Sequence, residues 1–252
     1  MTHSYKVNNL SLNFICSGSK RLKILENINF SIKEGEFVTI LGPSGCGKTT
    51  LIRTIAGFIE PNKGSINFKG ETIKEMRSKG LISYVPQHSV ILPFLTIEKN
   101  ISLPLEIRGI NDQKSLNRLL LLFNLKRFTH YYSKQISGGM KKKVALARAL
   151  VTKPKLILMD EPFSSLDEFT RENLNEELVV WKKKFNTTIL FVTHDVEEAV
   201  FLSDRIIILS KRPAKVLGEI EVKLPKKREN NLREKKEFIK IVNKMRKMTR
   251  NF

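Results

Sequence analysis

The run EFVTILGPSGCGKTT, residues 36–50, constrains this chain more than any other part of it. An apolar, β-branched stretch runs straight into Gly42. From there Gly42, Gly47, Lys48 and Thr49 satisfy the spacing G-x-x-x-x-G-K-[ST]. Glycines at these positions let successive backbone N–H groups turn inward as an anion nest. Residues 49–57 have helical spacing and stop at Gly57, so the nest opens onto the positive end of a helix. Lys48 supplies a point charge for the outer phosphates of a nucleotide, and the Thr49 hydroxyl is a Mg2+ ligand. Pro43, Ser44, Gly45, Cys46 and Thr50 belong to the same predicted phosphate cradle. Cys46 enters it through its backbone, not its thiol.

Two further apolar strands end in groups that suit such a site. In LILMDEP, Asp160 closes a buried strand, where a lone carboxylate is costly. It is explained as a ligand, direct or through water, to the Mg2+ that Thr49 holds. Glu161 follows at the strand tip, placed to orient or deprotonate an attacking water. His194 ends TTILFVTH, at the carboxyl end of a strand where parallel sheets deliver active-site groups. It is a candidate hydrogen-bond donor to the γ-phosphate. Gln87, in YVPQH, offers a neutral amide to both metal and water.

ISGGMKKKVALARAL, residues 136–150, carries a second anion-site signature. Ser137 is a helix N-cap, and Gly138-Gly139 leave the first N–H groups of that helix bare. One nucleotide does not easily serve both this turn and the Lys48 loop within one chain. The simplest resolution is a head-to-tail pair, each copy's Ser137-Gly138-Gly139 closing on its partner's nucleotide.

The bulk properties set limits. The chain has 252 residues, 41% of them hydrophobic, enough for a packed core. Two cysteines, Cys16 and Cys46, show no pairing pattern and fit a reducing cytoplasm. MTHSYKVNNLSLNF lacks the profile of a secretory leader. No stretch approaches the roughly 18 apolar residues needed to span a bilayer. The net charge is +20, and residues 221–252 hold 12 Lys and Arg against 4 Glu. Nucleic acid is not the expected partner, because aromatic residues do not interleave the basic runs. A solvated lysine-rich surface is the simpler reading, with an anionic bilayer nearby as the other.

Strand-like and helical segments alternate along much of the chain, which implies an α/β fold with a mostly parallel, helix-covered sheet. Ahead of it, VNNLSLNF and KILENINFSI alternate in the manner of half-buried strands, separated by Ser17-Gly18. Residues 96–150 read as an inserted helical subdomain, its helices broken at Pro104 and Gly109. A helix is expected over 140–151 and another over 171–185. At about 232–250, Phe238, Ile241 or Val242, Met245 and Met248 recur at three- to four-residue steps. That is an amphipathic helix, packed on the body or lying on a membrane.

With these residues in order, the chain resembles the ATP-binding subunit of an ABC transporter over nearly its whole length. The resemblance rests on the phosphate loop, Gln87, the signature Ser137–Met140, Asp160-Glu161, the loop Ser164-Ser165-Leu166-Asp167 and His194. It implies one domain over 1–252 with a P-loop NTPase (RecA-like) sheet, an N-terminal antiparallel β subdomain and the helical insertion. It implies an ATPase that uses ATP and Mg2+, with Asp167 at the composite nucleotide site. Phe14 matches the position that stacks on adenine, though a core position in an N-terminal strand remains the other reading of it. SGGM, where SGGQ is commoner, is similar to the nitrate, sulfonate and taurine importer branch; a vitamin precursor is a further solute class. Lys142-Lys143 and Ser165 depart from the pattern. The implied partners are a second copy, transmembrane permease subunits at a groove formed by Val90–Asn100, and indirectly a solute-binding protein. The implied place is the cytoplasmic face of the membrane. An exporter subunit shares every motif, and a soluble ABC ATPase is a further alternative.

Overall fold

The computed structural model describes residues 4–15, 21–225 and 228–249; Cys16 and the Ser17-Gly18 turn lie outside them. Two sheets make up the body. The first pairs β2 (Arg21–Lys33), β1 (Ser4–Ile15), β4 (Lys63–Phe68) and β5 (Glu71–Thr72), in that order and antiparallel throughout. Ile28, Phe30 and Ile32 of β2 are buried while Asn27, Asn29 and Ser31 face out, the alternation of a sheet with one dry face. Tyr5 and Phe68, directly opposed across β1 and β4, stack with ring centroids 4.0 Å apart.

The second sheet has the order β10-β9-β3-β8-β7-β6. Its members are β3 (Phe37–Leu41), β6 (Ile82–Val85), β7 (Leu156–Asp160), β8 (Thr188–Thr193), β9 (Arg205–Leu209) and β10 (Val216–Glu221). All pairings are parallel except that of the edge strand β10. FVTIL, LILMD and TILFVT are buried at every position, as strands covered on both faces must be. The helices α1 (Lys48–Ile55), α6 (Glu168–Phe185) and α7 (Val196–Leu202) flank these strands.

The helical insertion comprises α3 (Ile97–Ile107), α4 (Gln113–Leu122) and α5 (Gly138–Leu150). Helix α3 runs through Pro104 instead of breaking there. Pro104 removes one backbone donor, but Ile97, Ile101 and Leu105 form a buried face against α5 that holds the helix together. The break comes at Gly109, at φ 63°. Helix α5 starts at Gly138, so both glycines lie inside its first turn, and α6 starts at Glu168, a turn earlier than its apolar spacing suggests. In each case the cap sets the start, Ser137 for α5 and Asp167 for α6. Asn186 ends α6 in the left-handed conformation.

Two more α-helices are found among the described residues, one short and one C-terminal, and α7 has a cap of its own. Thr72 and Glu75 form a reciprocal capping box that starts α2 (Ile73–Ser78), a short helix. Asp195 caps α7 through the N–H groups of Glu197 and Glu198. The C-terminal α8 (Lys236–Thr249) packs on α7 and buries Phe238, Val242 and Met245, while Met248 stays exposed.

Helix α7 also carries a buried carboxyl, Glu198, whose Oε2 accepts from the Thr193 hydroxyl at 2.5 Å. Burial pushes its pKa up to about 7. Its ordinary value is 4.5, so ionising it is harder in the folded state. Stability is therefore full below pH 4.5 and is lost as pH rises toward and through about 7. Glu198→Gln keeps the acceptor without the charge. Thermal melts at pH 5 and pH 8 should show the variant gaining on the parent protein at pH 8; equal differences at both values would contradict this.

Candidate active site

Five consecutive parallel strands end on one edge, and a chemically useful residue follows each of them. The loop Gly42–Gly47 follows β3, Gln87 follows β6, Glu161 follows β7, His194 follows β8 and Arg212 follows β9. A cavity of about 390 Å3 opens there, lined by Ile24, Ser44, Gly45, Gly47, Lys48, Thr49, Thr50, Gln87, Glu161 and Arg212.

The loop wraps around its own lysine. Lys48 is buried and its Nζ donates to the Gly42 carbonyl at 2.9 Å and the Pro43 carbonyl at 3.0 Å. Closing so tight a curl needs backbone that L side chains avoid: Gly45 sits at φ 75° and Gly47 at φ 121°. A Cβ on Gly47 would also lie 3.0 Å from Ile24 Cγ2. The Cys46 thiol is buried and faces Gly42, away from the cavity lining; burial pushes its pKa up.

Behind the loop, Asp160 is almost wholly buried at the end of β7. Its Oδ1 accepts from the Thr49 hydroxyl at 3.0 Å and its Oδ2 from the Tyr84 hydroxyl at 3.0 Å. Burial raises the Asp160 pKa, and these two hydrogen bonds pull the other way by favouring the carboxylate. Tyr84, on β6, carries no motif signature, and only the pairing of β6 with β7 puts its hydroxyl there. Glu161 comes next, at φ 43°, with its N–H bonded to the Val192 carbonyl at 3.0 Å. A non-glycine residue held in the left-handed region is a local strain that the surrounding sheet must enforce. It turns the carboxylate between two basic groups, Lys48 Nζ at 3.6 Å and His194 Nδ1 at 3.0 Å.

Gln87 lines the cavity and its amide donates to Ser164 Oγ at 3.3 Å. The Gln87 backbone carbonyl accepts from the buried Lys142 ammonium at 2.7 Å, so α5 grips the loop after β6. Desolvation lowers the Lys142 pKa. Phe14 is 42% exposed near the end of β1, which rules out a core role, but it does not line the cavity. Ser137, Gly138, Gly139 and Asp167 do not line it either. Ser137 Oγ accepts from Met140 N at 3.2 Å and Asp167 Oδ1 from Thr170 N at 2.9 Å, so each caps its own helix. Arg212 is the lining residue that no spacing rule reveals, because a hairpin loop places it there.

A Mg2+ ion fits the oxygens present. Thr49 and Asp160 already approach within hydrogen-bond distance of each other, and the Gln87 amide lines the same cavity. Among the described residues no cluster of three His, Cys or carboxylate side chains forms a closed metal cage. Mg2+ usually takes one or two carboxylates and completes its shell with water and phosphate oxygens.

A family profile described as ABC transporter matches residues 25–164. The chain belongs to the ABC transporter family. The aliphatic sulfonates import ATP-binding protein SsuB of Bacillus cereus is 43% identical over 211 residues, 83% of each chain. The nitrate import ATP-binding protein NrtD of Synechocystis is 37% identical, over 90% of this chain and 88% of its own. Among solved structures, the ATP-binding cassette MJ0796, a dimer in a post-hydrolysis state bound to ADP and Pi, superposes with a TM-score of 0.76. It is 31% identical and matched over its full length, covering 88% of this chain. This ABC cassette binds ATP, and it is an ATPase. Its sheets and insertion are those the resemblance implied.

Gly47→Ala would place a Cβ in a disallowed conformation and against Ile24. It should destabilise the fold by about 1–3 kcal/mol and abolish ATP binding, readable by urea unfolding and by titration calorimetry. An alanine variant with parental stability and affinity would contradict the loop geometry.

Proposed function

We propose that this chain is the ATP-hydrolysing subunit of an importer for a small solute, of the sulfonate, nitrate or taurine kind or a vitamin precursor. The names of the SsuB and NrtD relatives support import. The reaction reading is carried by Glu161, held at a strand tip between Lys48 and His194 beside the phosphate loop.

In this reading the N–H groups of residues 42–50 and the Lys48 ammonium bind the triphosphate. Lys48 then exchanges its contact with Glu161 for the outer phosphates, which frees the carboxylate. Glu161 orients the attacking water and takes its proton. His194, at 3.0 Å, keeps that carboxylate in place and offers a donor toward the γ-phosphate. Thr49, Asp160 and Gln87 would hold Mg2+, which supplies charge neutralisation on the phosphate oxygens. Phe14, exposed at the end of β1, would stack on adenine.

Ser137 and Gly138 are exposed and Gly139 is half-buried at the start of α5, and none of the three lines its own chain's cavity. That placement supports a head-to-tail dimer in which they, with Asp167, complete the partner's site. MJ0796 is itself described as dimeric. The segment after Gln87 exposes Val90 (58%) and Phe94 (72%), a surface suited to an apolar partner helix. Among the described residues no helix is long and apolar enough to cross a membrane. Permease subunits would therefore supply the membrane path, with this chain bound peripherally at the cytoplasmic face. The solute-binding protein would act only through them.

Glu161→Gln should retain ATP binding, lower turnover at least a hundredfold and shift gel-filtration mobility to a dimer in ATP. Lys48→Ala should remove measurable ATP affinity. A Glu161→Gln protein that hydrolyses ATP normally, or stays monomeric in ATP, would overturn the composite-site mechanism.

A further inference from the structure

We propose that Arg212 is a second cation of the phosphate pocket and binds the nucleotide's phosphate chain; this rests on the nucleotide-site reading above. Arg212 lines the same cavity as Lys48, Thr49 and Glu161. Its guanidinium Nε and Nη2 donate to the Gly45 carbonyl at 3.3 and 3.0 Å. This uses two of the five guanidinium donors. Among the described residues the others have no bond, and Arg212 has no carboxylate partner within ion-pair distance.

Lys48 is differently placed. Its ammonium is committed to the Gly42 and Pro43 carbonyls and to Glu161. Arg212 is thus the lining cation whose charge no acidic group offsets. A guanidinium is also the side chain best shaped for phosphate, through its planar fork of donors.

The backbone that carries Arg212 is anchored. The hairpin between β9 and β10 closes on itself through Ser210, whose N–H donates to the Lys215 carbonyl at 2.9 Å and whose hydroxyl accepts from Lys215 N at 2.9 Å. Ala214, fully buried, is bolted to β2: Ala214 N donates to the Ile24 carbonyl at 2.8 Å and Glu26 N to the Ala214 carbonyl at 2.9 Å. Ile24 itself lines the cavity. The hairpin tip is therefore positioned before any ligand arrives, and a preorganised donor loses less freedom on binding.

The test separates charge from bracing. Arg212→Gln keeps a planar amide donor for the Gly45 carbonyl and loses the charge; Arg212→Lys keeps the charge. Calorimetric titration of the full chain with ATP and ADP, at low and high salt, should show Arg212→Gln binding ATP about tenfold more weakly. Its melting temperature should be unchanged, and its affinity should vary less with salt than the parent's, because a screened attraction is gone. Arg212→Lys should recover most of the affinity. Parental affinity in Arg212→Gln, or no recovery in Arg212→Lys, would overturn the proposal while leaving the Lys48 pocket standing. A parent protein whose ATP affinity is indifferent to Lys48→Ala would remove the pocket and this inference together.

Discussion

A buried ammonium is the constraint on which the site depends. Lys48 is only 4% exposed, and an unsatisfied charge at that depth would be costly. Its first partners are carbonyls at the start of its own loop, so residues 42–48 must close into a ring around it. With those carbonyls turned in and the left-handed glycines reversing the chain, the loop presents its amides to the cavity. Glu161 adds the third contact, and its strained backbone is held by the Val192 carbonyl of β8. One lysine thus ties the ends of β3, β7 and β8 into a single polar cluster at the sheet edge.

What was legible in the chain follows from this. The phosphate loop, Asp160, Glu161, Gln87 and His194 were readable because each sits directly after an apolar run, and a buried parallel sheet puts all such ends on one edge. Ser137 was readable as a helix cap because that helix start is set by local chemistry. Both cases need only local rules plus one statement about sheet polarity.

The rest depended on contacts between distant segments. Tyr84 reaches Asp160 only because β6 pairs with β7, and Arg212 reaches Gly45 only because its hairpin docks on β2. Neither has a motif of its own. Pro104 shows the opposite case, a strong local signal overruled: the buried face of α3 against α5 outweighs the missing donor. Helix starts at Gly138 and Glu168 followed the caps, where apolar periodicity alone pointed further inward. Lys142, read from the chain as a departure from the family pattern, turns out to be buried and bonded to the Gln87 carbonyl.

The strand order carries a consequence for how such a chain is made. β3 leads into the phosphate loop, yet its two neighbours are β8 and β9, far downstream. A ribosome emits FVTIL long before either neighbour exists. Until then a five-residue segment, four of its residues apolar, has an open edge on both sides, the kind of segment that pairs with strangers. A nascent chain of this protein therefore carries β3 without either sheet neighbour until residues 188–209 have been made.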